Sequence, residues 1–125
     1  HYDLILAQVI AYRARVFEYG AYLQAFKTNP KPFDPPTPTR ALWYWGVREQ
    51  KRTLGGSLTD GDIAEATQRF NDLIRDYDGT PWATRAKYEL NRGFGCDLNA
   101  VYHNPNPPPP DPKNRPVRPI TTPKI

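Results

Sequence analysis

Residues 3–28 read DLILAQVIAYRARVFEYGAYLQAFKT, the longest periodic segment of the 125-residue chain, and they decide the expected fold. Seven apolar residues recur along this segment at steps of four and three: Ile5, Val9, Tyr12, Val16, Tyr19, Leu23 and Phe26. This spacing places all seven on one stripe of an α-helix. At 1.5 Å of rise per residue the helix is about 39 Å long. We therefore predict a long N-terminal helix whose apolar stripe packs against neighbouring elements.

Prolines divide the rest of the chain. There are 15 of them, whereas average usage predicts about six. Five lie within 29–38 (NPKPFDPPTP) and nine within 104–125. Proline is disfavoured in helix interiors and in central strands. Residues 29–38 are therefore predicted to form a stiff, extended connector that begins where the first helix ends. The division predicts a helical domain over 1–103 and an extended proline-rich tail over 104–125.

The segment after the connector is rich in aromatic residues. Thr39 is a suitable N-cap for a second helix over 40–53, which Gly55-Gly56 would end. Trp43, Tyr44 and Trp45 occupy adjacent positions, and adjacent side chains point about 100° apart on a helix. One helix face cannot bury all three rings, so at least one of them must meet another element, a partner or water.

Residues 60–93 are predicted to form a helical hairpin. Its first helix, over 60–77, carries apolar residues at a 3.6-residue period: Ile63, Ala66, Phe70, Leu73, Ile74 and Tyr77. Thr80-Pro81 opens the second helix, because a hydroxyl cap followed by proline suits a helix N-terminus, and Gly93 ends it. Residues 94–103 pack back as a turn of helix or as an extended segment. The expected fold is therefore all-α, built of helical hairpins with one long N-terminal helix and a proline-rich tail.

The hairpin resembles a tetratricopeptide-type repeat. In that family a small residue is followed by an aromatic residue, an apolar residue and a helix break, and Ala66, Phe70, Leu73 and Asp78 take those places here. Asp78 stands where the family usually has proline, and the first helix does not repeat the pattern. The resemblance implies a TPR-like interaction fold, although a regular repeat array is not expected.

A second resemblance covers more of the chain. The long helix, the GTPWA sequence at 79–83 and the final Pro-Lys-Ile are similar to the C-terminal region of large bacterial proteins that carry a von Willebrand A domain upstream. This resemblance implies a non-catalytic module of a multidomain protein located in the cell envelope or outside the cell.

Charge and composition narrow the choice of partners. The net charge is +4, and its excess lies partly in the tail, at Lys113, Arg115, Arg118 and Lys124. An acidic protein surface is a suitable partner for such a tail. Nucleic acid is not favoured as a partner because the helical domain over 1–103 has no basic stripe. No apolar run is long enough to span a membrane.

Residues that carry chemistry are few. His1 and His103 stand at opposite ends, and Cys96 is the single cysteine, so the ligands of a structural zinc site are lacking. Cys96 with His103 could form a nucleophile–base pair, but a lone cysteine among apolar residues is more often buried and inert. We therefore expect no enzymatic activity, no metal and no cofactor.

The sequence favours a structural module that binds protein, a component of an oligomer or of a larger assembly, whose tail docks on a neighbouring chain. An alternative is a peptide- or glycan-binding module that uses a groove beside Trp43, Trp45 and Trp82. The predicted partner-binding residues are Trp43, Tyr44, Trp45, Pro107, Pro108, Pro109, Pro110, Arg115 and Arg118.

Overall fold

The structure, a computed structural model, describes residues 1–114 and contains both helices and a sheet in that range. The elements in chain order are α1 (Tyr2–Thr28), β1 (Ala41–Gln50), α2 (Asp60–Asp76), α3 (Pro81–Arg92) and β2 (Gly95–His103). Short 3-10 turns lie at Gly56–Leu58 and Pro112–Asn114. The fold is thus mixed α and β, and the prediction of an all-α fold is wrong.

The error lies at 40–53, which forms the strand β1 and not a helix. Tryptophan, tyrosine and valine fit a pleated strand better than a helix, and adjacent residues of a strand point to opposite faces. Trp43, Tyr44 and Trp45 therefore need not share one side. Gly46, in the middle of β1, also fits this position, because a Cβ there would approach the Cγ2 atom of Val101 to 3.2 Å.

The sheet pairs β1 antiparallel with β2, so that Ala41 lies opposite His103 and Gln50 opposite Gly95. Of the two alternatives for 94–103, the extended one is confirmed. The register shifts by one residue between Leu42 and Tyr44. Trp43 is the additional residue of this bulge, and a bulge redirects the side chain that it carries.

The long helix and the helical hairpin are confirmed by α1, α2 and α3. Thr80 caps α3 as predicted, since its hydroxyl accepts a hydrogen bond from the Ala83 N–H, and Gly93 closes α3 with φ +76°. Thr59 precedes α2 but does not cap it through its side chain. The connector has no helix or strand over 30–36, and its Lys31 is bound to the Asp97 carboxylate of β2 at 2.6 Å.

The core lies between α1 and the helical hairpin, but α1 does not turn its predicted stripe toward it. α1 contributes a neighbouring stripe of mostly small residues, and the hairpin contributes larger ones. The buried apolar residues of this cluster are Leu4, Ala7, Ile10, Ala11, Ala14, Ala66, Phe70, Leu73, Ala86 and Phe94. Alanines at the contact let the helix backbones approach closely, which leaves the larger apolar residues of α1 on another face.

Gly20 offers a test of the backbone of α1. It lies inside the helix and is exposed, and a Cβ added there would meet nothing within 4 Å. Gly20→Ala should raise the free energy of unfolding by about 0.5–1 kcal/mol, because alanine loses less backbone entropy in a helix. Urea denaturation followed by circular dichroism measures this change.

Gly93→Ala is the matched control. Gly93 has a positive φ, and a Cβ there would come within 2.6 Å of the Gln50 carbonyl oxygen. The same substitution should therefore lower the free energy of unfolding by about 1–3 kcal/mol. Equal effects at the two glycines would contradict the placement of α1 and of the turn after α3.

Candidate functional site

The most extensive candidate interaction surface is the exposed apolar face of α1, which we name the α1 stripe: Tyr2, Ile5, Val9, Tyr12, Val16 and Tyr19. The exposed fractions of these residues lie between 40% and 76%. Their Cα atoms span about 26 Å along the helix axis. These are the first members of the heptad pattern together with Tyr2, whereas Phe26 is half-buried and packs its ring on Trp45 at 5.0 Å between centroids. The first two-thirds of the stripe is therefore exposed and does not pack within the chain.

A buried carboxylate explains why α1 is rotated this way. Glu89 of α3 is fully buried. Its carboxylate lies at 2.8 Å from Arg15 of α1 and at 2.8 Å from Arg85, and it accepts a hydrogen bond from the Gln8 amide at 3.0 Å. Arg15 also donates to the main-chain oxygens of Glu89 and Gly93. α1 must face α3 with Arg15 for these bonds to form.

The pKa of Glu89 is lowered in spite of its burial. Desolvation opposes the charged form, but the hydrogen bonds from Gln8 and Arg15 and the charges of Arg15 and Arg85 outweigh it. A buried carboxylate without partners is strongly destabilising, whereas one with full hydrogen bonding is tolerated. Glu89 is therefore a structural anion that joins α1 to α3.

A second buried carboxylate, that of Glu18, lies on α1 one turn after Arg15. It accepts hydrogen bonds from the Leu54 N–H at 2.6 Å, from the Gly55 N–H at 2.9 Å and from the Thr59 hydroxyl. These bonds hold the loop between β1 and α2 against the helix. Thr59, which precedes α2, thus binds Glu18 and makes no side-chain cap of that helix.

A shallow apolar groove of about 270 Å³ extends the α1 stripe sideways onto the sheet. Its apolar lining includes Val16 and Tyr19 of α1 and Val47 of β1, which is 61% exposed. Charged side chains also line it, namely Arg15, Glu49 and Arg92. Arg92 is bound to Glu49, and this bond lowers the pKa of the Glu49 carboxyl. The groove therefore combines an apolar floor with a charged rim.

The aromatic residues of β1 that are predicted to bind a partner differ in their exposure. Trp43 is 66% exposed and lies near the rings of Tyr44 and His103, at 5.2 and 5.9 Å between centroids. Trp45 is half-buried against Phe26 and Phe33. Trp43 and Tyr44 remain available to a partner, whereas Trp45 holds the connector to α1.

The groove expected beside the three tryptophans has no counterpart in these placements. Trp82 lies near the ring of His1 at 6.1 Å, close to the N-terminus of α1, and has none of the neighbours of Trp43 or Trp45. A shared indole-lined groove was the basis of the peptide- or glycan-binding alternative, so that alternative receives no support from the placements.

The proline-rich segment is exposed as far as the structure describes it. Pro107 to Pro110 are all exposed, and just before them Asn106 donates a hydrogen bond to the Pro38 carbonyl at 2.9 Å. Pro107, Pro108, Pro109 and Pro110 are therefore free to meet a partner. Arg115 and Arg118, also predicted to bind a partner, lie outside the described residues.

Cys96 and His103 do not form a proton-transfer pair. They stand seven residues apart on β2, which corresponds to about 24 Å of extended strand. Burial raises the pKa of the Cys96 thiol, and the charges of Glu18 and Asp97 add to this shift. Within residues 1–114 we find no group of three or more metal-ligating side chains that could hold an ion. Among the same residues, none of the helices is long and apolar enough to cross a membrane.

Sequence reasoning missed the outward orientation of the α1 stripe and the participation of Val47. One signal was present: Leu4, Ala7, Ala11, Ala14 and Glu18 form a second stripe at steps of three and four beside the first. Small residues at this spacing are suited to close helix packing, and a larger apolar stripe beside them is then left for another contact.

Comparison of the chain with models of protein families, with curated proteins and with solved structures finds no match. The resemblance of the hairpin to a tetratricopeptide-type repeat and that of the whole chain to the bacterial proteins therefore stay predictions.

Glu89→Gln tests the buried pair. The amide leaves Arg15 without its counter-ion, and Arg15 is itself largely buried, so the free energy of unfolding at neutral pH should fall by about 3–5 kcal/mol. Because the pKa of Glu89 is lowered in the fold, its stabilisation is present above the unfolded value of about 4.3 and is lost as pH falls through the folded pKa. The variant should therefore show a shallower loss of stability in acid, measured by urea denaturation across pH.

Glu65→Gln is the matched control, since Glu65 makes an exposed pair with Arg69 one turn away on α2. Its loss should change stability by no more than about 0.5 kcal/mol. If the two glutamine variants behaved alike, Glu89 would not hold α1 in place.

Proposed function

We propose that this chain is a non-catalytic, structural module that binds protein within a larger assembly, and that the α1 stripe is its principal contact surface. The observation that carries the proposal is the size of this stripe. Its six residues expose on the order of 600 Å², if a free tyrosine offers about 200 Å² and a free aliphatic side chain about 150 Å². Contiguous apolar patches above a few hundred Å² are typical of interaction sites.

The scaffold behind the stripe supports a binding role. α1 is held by Glu89 at Arg15, by Glu18 at the loop after β1, and by a core of small residues. A surface on an element fixed in this way loses little conformational entropy when a partner binds. The carboxylates of Glu89 and Glu18, the candidate acid–base groups at this site, are instead held in hydrogen bonds with donors of the chain itself.

We also propose that the proline-rich tail docks on a neighbouring chain. An extended proline segment is already stiff, so it loses little entropy on binding, and aromatic-lined grooves commonly receive such segments. The exposed Pro107–Pro110 run and the exposed pair Trp43 and Tyr44 support this, because one chain offers the segment and another the aromatic side chains. The partners would be neighbouring subunits or other domains of a longer protein.

Photo-crosslinking tests the α1 stripe directly. A benzoyl-phenylalanine placed at Val9, in cells that naturally produce the chain, should form covalent protein adducts on irradiation, because position 9 lies inside the contact. The same group at Leu58, which is equally exposed but lies outside the stripe, should not. Absence of adducts at Val9, or equal yields at both positions, would contradict the proposal.

Truncation tests the tail. A chain ending at residue 103 keeps α1, the hairpin and the sheet, but loses Pro107–Pro110 and the cationic end. We expect its assembly in the native extract to contain fewer chains, so that its mass by size-exclusion chromatography with light scattering falls by more than the 22 residues removed from each chain account for. An unchanged number of chains would remove the tail from the proposed function while leaving the α1 stripe untouched.

A further inference from the structure

We infer that the partner of the α1 stripe is a second copy of this chain, with the two α1 helices packed antiparallel. This inference rests on the proposed function and names the occupant of the same surface. The geometry points to it through three observations: the spacing of the stripe, the sizes of its side chains and the area that it offers.

The spacing of the stripe matches a helix as its counterpart. Its residues recur at steps of three and four, and this 3.5-residue repeat keeps a seam facing a second helix as the two wind around each other. A twofold axis would bring the same stripe from both copies together, which is the commonest form of homodimer. Ile5, Val9 and Val16 remain 58–67% exposed, whereas Tyr12 and Tyr19 are partly covered by the chain itself, Tyr12 through the bond of its hydroxyl to Glu89.

The side-chain sizes suit a crossing centred on Tyr12. In an antiparallel pair centred there, Ile5 lies level with Tyr19 of the second copy, and Val9 lies within one residue, about 1.5 Å, of the level of Val16 of the second copy. Large and medium side chains then alternate along the seam, and Tyr12 of each copy lies at the level of the axis, where its hydroxyl donates to Glu89 of its own chain. In a parallel pair each tyrosine would face its own copy at three levels, Tyr2, Tyr12 and Tyr19.

The area is sufficient for a stable dimer. The stripe together with Val47 offers roughly 700 Å² on each copy, and stable interfaces of standard size bury about 600–1,000 Å² per partner. The contact would have an apolar centre and a charged rim, as is usual for such interfaces. A short peptide would leave much of this length uncovered.

The test begins with the mass of the purified 125-residue chain, measured by sedimentation across a wide range of concentrations. We expect a dimer. Val9→Glu and Val16→Lys should each weaken it by at least about 100-fold, because each buries two charges without partners. Leu58→Glu, an equally apolar-to-charged change outside the stripe, should leave the dimer unchanged. Circular dichroism checks that each variant keeps its helices.

The double variant Val9→Glu with Val16→Lys decides the direction. In an antiparallel dimer the carboxylate at position 9 faces the ammonium at position 16 of the second copy, so the double variant should dimerise more tightly than either single variant. In a parallel dimer each introduced charge faces its like, and the double variant should be weaker than both. The second result would overturn the antiparallel arrangement.

The failure of this inference is distinguishable from that of the proposed function. If the wild-type chain is monomeric at every concentration, the homodimer is overturned. Photo-crosslinked adducts at Val9 with a different protein would then still support a protein-binding role. If Val9 gives adducts of twice the mass of the chain, the homodimer is supported in the cell as well.

Discussion

The fold depends on the bond between Arg15 and Glu89. Glu89 is fully buried, and a buried carboxylate is tolerated only when charged or polar donors surround it. Arg15 supplies the charge from α1, and it also binds the main-chain oxygens of Glu89 and Gly93. Because α1 is a rigid rod, placing Arg15 against α3 fixes the rotation of the whole helix. The alanines at 7, 11 and 14 then face the hairpin, and the larger apolar stripe faces away.

The same rotation sets the position of the sheet. Glu18 lies close to the face that carries Arg15 and holds the loop that follows β1 through two main-chain N–H groups. At the other side of the hairpin, the Arg15 bond to Gly93 lies immediately before β2. The loop that follows β1 and the residue that precedes β2 are thus both bound to α1. A two-stranded sheet is only marginally stable by itself, so these attachments, with Trp45 against Phe26, allow it to persist.

The sequence allowed part of this structure to be predicted. The helices α1, α2 and α3 follow from local periodicity and from local caps such as Thr80 and Gly93, which act over a few residues. β1 could not be predicted in the same way, because its partner strand lies about 50 residues later and local signals also allowed a helix. The rotation of α1 was hidden for a similar reason. Hydrophobicity favours burial of the larger stripe, whereas the bond that decides the matter joins residues 74 positions apart.

A buried charge must be paired, whereas apolar side chains are stabilised by burial. In this chain the two requirements apply to the same helix, α1, and favour different rotations of it. An unpaired Glu89 would destabilise the fold by about 3–5 kcal/mol. Each exposed apolar side chain forgoes at most roughly 1.5–3 kcal/mol, and a partner can recover that amount later. The buried charge is therefore paired inside the chain, and the apolar stripe is left exposed. The stripe remains straight, continuous and heptad-spaced because it lies on the helix that the buried pair holds rigid. The contacts that stabilise the fold are thus the same ones that leave this stripe exposed.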